Sequence, residues 1–287
     1  MEYTMEIKKG RNIKEVIKVL FIVAVILFAA LFVILVFLPR GISFCFRECG
    51  YPISGENLVV KYAMGIAVRA VGLLLFLAVM KKTRILEWYH CRLDKNSLKL
   101  SWLFIVYILL NVEIGSVNNM SLLPVLLMIA ECIMVGLYEE TIFRGLVLPI
   151  FLKRWGKSRK QVISSVLAAS IMFGAAHLVN LLWNENTAAV LTQVCYTAII
   201  GIAFSALLLR TNGNLLWCGL LHGLYNMAGG FGDFAEKTNS GVQTNAVPAD
   251  ILPYILNLAC FIPLLLYGLF LLRKVTSVTE DGAVFQE

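Results

Sequence analysis

The sequence predicts an all-α fold: a polytopic bundle of about eight transmembrane helices with both termini on the cytoplasmic side. Three observations predict it. Of the 287 residues, 59% are hydrophobic and only 15% charged, with a mean hydropathy of +0.80, whereas soluble domains carry about 25% charged residues. The apolar residues fall in runs long enough to cross a hydrocarbon core, which takes about 20 residues as a helix. The basic residues also alternate from one connecting segment to the next.

The apolar runs are 15–38, 58–80, 101–117, 121–152, 161–182, 188–209, 214–230 and 251–272. The third is interrupted by Asn111 and Glu113. The first follows a charged stretch, MEYTMEIKKGRNIK, but is too long for the apolar region of a signal peptide and is followed by no small-x-small cleavage site, so it reads as a transmembrane helix. Run 121–152 would reach about 48 Å as one helix against a core of about 30 Å, so it must tilt, break near Gly136 or project past the membrane.

Lys8, Lys9, Arg11, Lys14 and Lys18 precede the first run. Further basic clusters stand at 81–99 and 153–160, with Arg210 after the sixth run and Arg273 and Lys274 after the eighth. The intervening connections hold only Arg40, Arg47 and Lys237. This alternation sets the orientation, and it explains the formal charge of +7 by topology and contact with anionic membrane lipid; no nucleic-acid partner is expected. The short connections point to a bacterial plasma membrane.

Segment 85–100 reads as an amphipathic cytoplasmic stretch lying along the interface. Segment 230–250 reads as a polar outward loop, and the tail from Thr276 as disordered. His90 reads as a plain surface residue. Cys45 and Cys49 share an outward connection and could pair there if that side is oxidising. The chain divides into helices and a loop at 1–119, a core at 120–232, and a loop, last helix and tail at 233–287.

Three polar clusters interrupt the apolar runs. LYEETIFRG carries Glu139, Glu140 and Arg144; FGAAH carries His177; HGLYN carries His222 and Asn226. An ionisable group at mid-bilayer costs at least about 2.5–3.5 kcal/mol, which makes each a functional candidate. Counted from the nearest basic residues, Glu140, His177 and His222 lie about 20, 26 and 18 Å along their helices. Comparable depth on three helices suggests one shared site. Each has a bland reading as well, since an intramembrane Glu–Arg pair or a histidine is often only interhelical structure.

Glu140 and Arg144 are four residues apart and can pair on one helix face. Glu139 is turned about 100° from Glu140 and can face the histidines. His222 and Asn226 also share a face, as do Phe173 and His177. Ser170, Ser205 and Thr141 stand in no nucleophile motif, so these groups fit activation of a water rather than a covalent intermediate. Glu139 would serve as general base. Alternatively Glu139, His177 and His222 would hold Zn²⁺, as in catalytic sites with two histidines and one glutamate. Asn226, with His222, could stabilise a tetrahedral oxyanion. HExxH is absent, so the chain is not an ordinary zincin.

EETIFRG, FGAAH and HGLYN resemble, in order, the EExxxR, FxxxH and HxxxN motifs of the CPBP intramembrane proteases. That family is also called Abi or CAAX-protease-and-bacteriocin-processing, and it includes the type II CAAX prenyl endopeptidases. The resemblance covers roughly residues 120–232, with no motif position substituted. It implies a bundle of about eight helices around an intramembrane cavity. It further implies that Glu139 and His177 activate water, that His222 and Asn226 form an oxyanion site or help bind metal, and that Glu140 and Arg144 support them. The family is described both as metalloproteases and as metal-free glutamate proteases, and its bacterial members are linked to bacteriocin maturation or self-immunity.

Three function classes follow. The first is an endopeptidase cutting a membrane-associated peptide or protein, prenylated or bacteriocin-type, near the cytoplasmic half of the bilayer. The second is a non-catalytic immunity or scaffold protein on the same fold. The third, a transporter, calls for an inverted repeat or broken helices in both halves; only Gly136 and Pro149, in one half, suggest it.

Overall fold

Away from water, a backbone that crosses lipid must satisfy its own polar groups, so the apolar runs become helices. The computed structural model describes residues 37–48, 57–92, 94–112, 121–239 and 251–287, with isolated positions between 18 and 34. In chain order the helices are α1 (Leu38–Glu48), α2 (Leu58–Lys82), α3 (Lys95–Leu100), α4 (Trp102–Leu110), α5 (Leu122–Ile142), α6 (Leu148–Trp155) and α7 (Arg159–Ala176). They are followed by α8 (Thr187–Arg210), α9 (Leu215–Asn239), α10 (Leu252–Cys260) and α11 (Ile262–Leu272), then strands β1 (Val275–Val278) and β2 (Val284–Gln286).

Among the described residues, five helical stretches are long and apolar enough to cross a membrane: Leu58–Lys82, Leu122–Trp155, Arg159–Leu182, Thr187–Arg210 and Leu252–Leu272. Leu74, Leu109, Ile171 and Leu266 are exposed on these and neighbouring helices, where lipid replaces water as their solvent. Helix α9 lies along α5, α2 packs on the other side of α5, and α8 sits between α7 and α11.

The helices define two ends. Lys81, Lys82, Lys153, Arg154, Arg159, Lys160, Arg210, Arg273 and Lys274 gather at one, which we call the basic end. The first residues of α2, α5, α8 and α10 lie at the other, the far end.

Several expectations change. The third run ends as a helix at Leu110, and 113–120 lie outside the described residues, as do most of the first run and Cys49 with its pairing. LPRGISFCFRE is helix α1 rather than a loop. The seventh run forms α9, which continues to Asn239, past the expected loop start, and 240–250 are not described. Run 121–152 does not break at Gly136; it passes through a π-turn at Phe143–Val147 and continues to Trp155.

The tail is not disordered. β1 and β2 form an antiparallel hairpin turned at Gly282, whose φ of +91° suits glycine. Val275 and Val278 are buried, and the Val278 amide donates to the Gly156 carbonyl. Gln286 donates to the Leu209 carbonyl at the end of α8. Segment 85–100 packs against the bundle. Ile85 is buried, and Asn214 Nδ2 donates to the Arg92 carbonyl. His90 is no plain surface residue: its Nε2 stands 3.0 Å from the Thr211 carbonyl. Hairpin and segment together cover the basic end.

Helices α5 and α9 meet backbone to backbone. A Cβ on Gly136 would collide with the Gly223 amide and the Gly219 carbonyl. Gly219 and Gly223 are four apart, the small-xxx-small spacing of close membrane crossings. A Gly136→Leu variant is expected to push α5 from α9 and lose about 1–3 kcal/mol or more, read as a lowered Tm in detergent. An unchanged Tm would refute the tight crossing.

Candidate active site

Pro149 shapes the helix that carries the first motif. It has no N–H to donate, so the helical register around it loses a bond. In the π-turn the Leu148 amide bonds the Phe143 carbonyl. The Arg144 and Gly145 carbonyls would both look to position 149 for a donor. Tyr89, from the segment at the basic end, supplies it: its hydroxyl donates to the Arg144 carbonyl at 2.7 Å and lies 3.3 Å from that of Gly145. Burial pushes the Tyr89 pKa well up, so the hydroxyl keeps its proton and stays a donor.

The turn sets Arg144 against Glu140. Nη1 lies 3.0 Å from Glu140 Oε1, with the two side chains 1% and 0% exposed. The pair is held by charge more than by alignment, since neither Nη atom nor Glu140 Oε2 has an aligned hydrogen-bond partner among the described residues. The guanidinium also lies 4.4 Å from the centre of the Phe173 ring and 5.8 Å from that of Phe204, a cation–π arrangement that is worth most when desolvated.

Glu140 has a second partner, which was not expected. Its Oε1 stands 2.9 Å from His222 Nδ1. A carboxylate beside a guanidinium accepts only, so Nδ1 carries the proton. The other face of the ring looks to Glu139, with Nε2 3.7 Å from Oε2. Phe204 stacks on the His222 ring at 5.5 Å, and Phe173 meets it edge-on. His222 is thus fixed in rotation and tautomer. His177 is fixed too: its Nδ1 lies 3.0 Å from the Phe173 carbonyl, four residues back. A carbonyl accepts only, so the His177 lone pair is on Nε2.

A cavity of about 290 Å³ opens among α2, α5, α7, α8 and α9. Glu139, His177, His222 and Asn226 all line it, whereas Glu140 and Arg144 do not. The structure therefore gathers four of the six candidates at one surface and sets the other two behind it. Arg69 and Tyr138 also line the cavity, and the Asn180–Gln193 pair, 2.8 Å apart, forms another part of the wall. Reasoning from motifs missed all four. An arginine at position 69, inside an apolar run, was the available signal. Ser170 and Ser205 are buried away from it, Ser170 donating to the Val166 carbonyl.

For a metal, Glu139, His177 and His222 are the donor set in question. Among the described residues no three His, Cys, Asp or Glu side chains converge closely enough to hold an ion. In this geometry the set does not fit, and no step is derived through a metal.

Residues 121–228 match the family model described as Type II CAAX prenyl endopeptidase Rce1-like. This segment is similar to the Rce1-like family. That family is one of CAAX-type intramembrane proteases. Neither the curated proteins nor the solved structures gave a match. The matched residues span α5 to most of α9 and carry all six candidates; Arg69, Tyr89 and the hairpin lie outside them.

Two outcomes test the supports. Arg144→Ala strands a buried carboxylate and is expected to cost about 3–5 kcal/mol, whereas Arg144→Met combined with Glu140→Leu should recover much of that loss. Equal Tm values for the single and double variants would oppose the buried-pair argument. Tyr89→Phe should cost about 1–3 kcal/mol by orphaning two carbonyls, read by thermal unfolding in detergent.

Proposed function

We propose that the chain is an endopeptidase that hydrolyses a peptide bond of a membrane-associated substrate with water activated by Glu139 and His177. The observation that carries this is the shared cavity: Glu139, His177, His222 and Asn226 line one polar surface inside an apolar bundle. Its volume suits an extended stretch of a few residues.

In the proposed cycle a water lies between the Glu139 carboxylate and His177 Nε2. Glu139 takes one proton as the water oxygen attacks the scissile carbonyl carbon. The carbonyl oxygen becomes an oxyanion, held by the Asn226 amide N–H. His222 keeps its Nδ1–H on Glu140 and turns its Nε2 towards the oxyanion. The carbon–nitrogen bond then breaks, and Glu139 returns its proton to the leaving amine. Glu140 and Arg144 act through His222, which they orient. Low dielectric strengthens each of these interactions.

The test is cleavage by purified protein in detergent of a library of membrane-soluble and prenylated peptides, read by mass spectrometry. Glu139→Gln is expected to lower turnover by about 10²–10⁴-fold with Tm unchanged. Asn226→Ala should lower kcat by about 10²–10³-fold. Parallel samples with chelator, and with Zn²⁺ restored, measure whether Glu139, His177 and His222 draw together on an ion. Folded wild type that cuts nothing, with a cellular phenotype indifferent to Glu139→Gln, would favour a non-catalytic immunity or scaffold protein.

A further inference from the structure

We infer that Trp88 and the β1–β2 hairpin are positioning elements for the site: the hairpin clamps Trp88, and through Trp88 it holds Tyr89 under the π-turn that carries Arg144. For the reaction it affects, the inference rests on the protease reading; the mechanical coupling does not depend on cleavage.

The first argument is adjacency. Trp88 closes a 3₁₀ turn at Ile85–Trp88, and Tyr89 follows in extended backbone, with φ of −119° and ψ of 148°. Successive side chains in such backbone point to opposite sides. Tyr89 accordingly reaches the Arg144 and Gly145 carbonyls, while Trp88 meets the hairpin. A Cβ on Gly282 would collide with the Trp88 ring, so the turn of the hairpin rests directly on the indole. Lys153 Nζ lies 5.3 Å from the centre of the same ring and adds a cation–π contact. The α8–α9 turn holds the pair from another direction. The His90 amide donates to the Gly213 carbonyl at 3.1 Å, and a Cβ on Gly213 would collide with the Trp88 carbonyl.

The second argument is reach. Val278 and Val284 of the hairpin line a gap of about 20 Å³ together with Trp88, Tyr89 and Pro149. Pro149 leaves the π-turn short of a donor, and Tyr89 supplies one. The hairpin valines thus abut both partners in that exchange. The turn in turn touches the third motif's helix: a Cβ on Gly145 would press on Leu215, the first residue of α9. A shift in the turn therefore passes to the helix that carries Cys218 and His222.

The third argument is strength. The hairpin lies beyond the last apolar span, and two strands alone are marginal in water. Val275 and Val278 are its buried side chains. Its ion pairs, Arg159–Glu287 and Lys157–Glu280, are largely exposed and contribute little. Hydrogen bonds from the Val278 amide and Gln286 complete the attachment. The layer that fixes Tyr89 therefore opens at lower cost than the bundle it covers. Docked, it keeps the turn and Arg144 in place; lifted, it frees Tyr89 and lets the turn relax.

The experiment uses the full chain in detergent. Val278→Glu puts a charge under the hairpin and is expected to lift it, scored by trypsin cleavage at Lys274. Gly282→Val, which collides with Trp88, is the second means of lifting. In a background with the other cysteines replaced, Cys218 is buried and stands one turn before His222. Its modification by a small thiosulfonate is expected to speed up about 10-fold when the hairpin lifts. On peptides that the wild type cuts, kcat is expected to fall about 10-fold or more, with KM within about twofold. Tyr89→Phe should produce the same pair of changes, and adding it to Val278→Glu should produce no more. Trp88→Ala should behave as Val278→Glu does, whereas Trp88→Phe, which keeps a ring against Gly282, should stay near wild type. A lifted hairpin with Cys218 and kcat both unchanged overturns the inference and leaves the protease reading standing. Losses that add in full to those of Tyr89→Phe also overturn it. So does a Lys274 protected in both lifting variants, since the hairpin is then no separable layer. Cys218 rates that respond as expected while no peptide is cut would sink the protease reading alone.

Discussion

Glu140 is wholly buried, and a carboxylate taken out of water must be neutralised where it stands. Arg144 and His222 do this from two directions, at 3.0 and 2.9 Å on one oxygen. That three-way contact ties the first motif to the third. It fixes which nitrogen of His222 faces the cavity, and so what the ring can offer a substrate. It also requires α5 and α9 to lie close together, which the glycines at their crossing permit. A buried ion pair is seldom the cheapest way to hold two helices. Here its value lies in orientation, because the ring it holds also lines the cavity.

The two acid residues of the first motif thus separate by one position of helical twist. Glu139 is a quarter exposed and turned to the cavity; Glu140 is dry and turned to the core. A single side chain cannot be both a buried counter-ion and a group that handles water, since the two need opposite dielectric surroundings. Adjacent positions on a helix supply both environments within a few ångströms. The π-turn just beyond then brings Arg144 onto Glu140, and Tyr89 makes that turn tolerable by bonding the carbonyls that Pro149 leaves short of a donor.

Much of this arrangement was legible in the residues. Apolar run length located five of the spans, and matching depth on three helices brought Glu139, His177, His222 and Asn226 together. The pairing of Glu140 with Arg144 followed from a spacing of four. What spacing could not give was contact between helices. Glu140 reaches His222 only because α5 and α9 cross at Gly136, and the signal for that crossing, GLLHG, was read for its histidine alone. Tyr89 is 55 positions before Arg144, in a connection whose amphipathic look suggested the lipid interface. The hairpin was missed because its polar middle, TEDG, reads as disorder unless the flanking alternation of valines is read with it. The full helix count and the position of the termini depend on stretches outside the described residues.

Depth was read from one surface only. Counting from basic residues gives the distance from one surface; it says nothing of which surface is open. The open side is decided by packing. Arg144 and the aromatic rings around it fill the space towards the basic end, so the charge that orients His222 also belongs to the floor. On the other side Arg69 and Glu131 are partly exposed and stand between the site and a second cavity. A site needing water inside a membrane must have one wet approach and one dry wall. In this bundle the dry wall is built from the first motif itself, since Arg144 and Glu140 are sealed behind the surface that Glu139 lines.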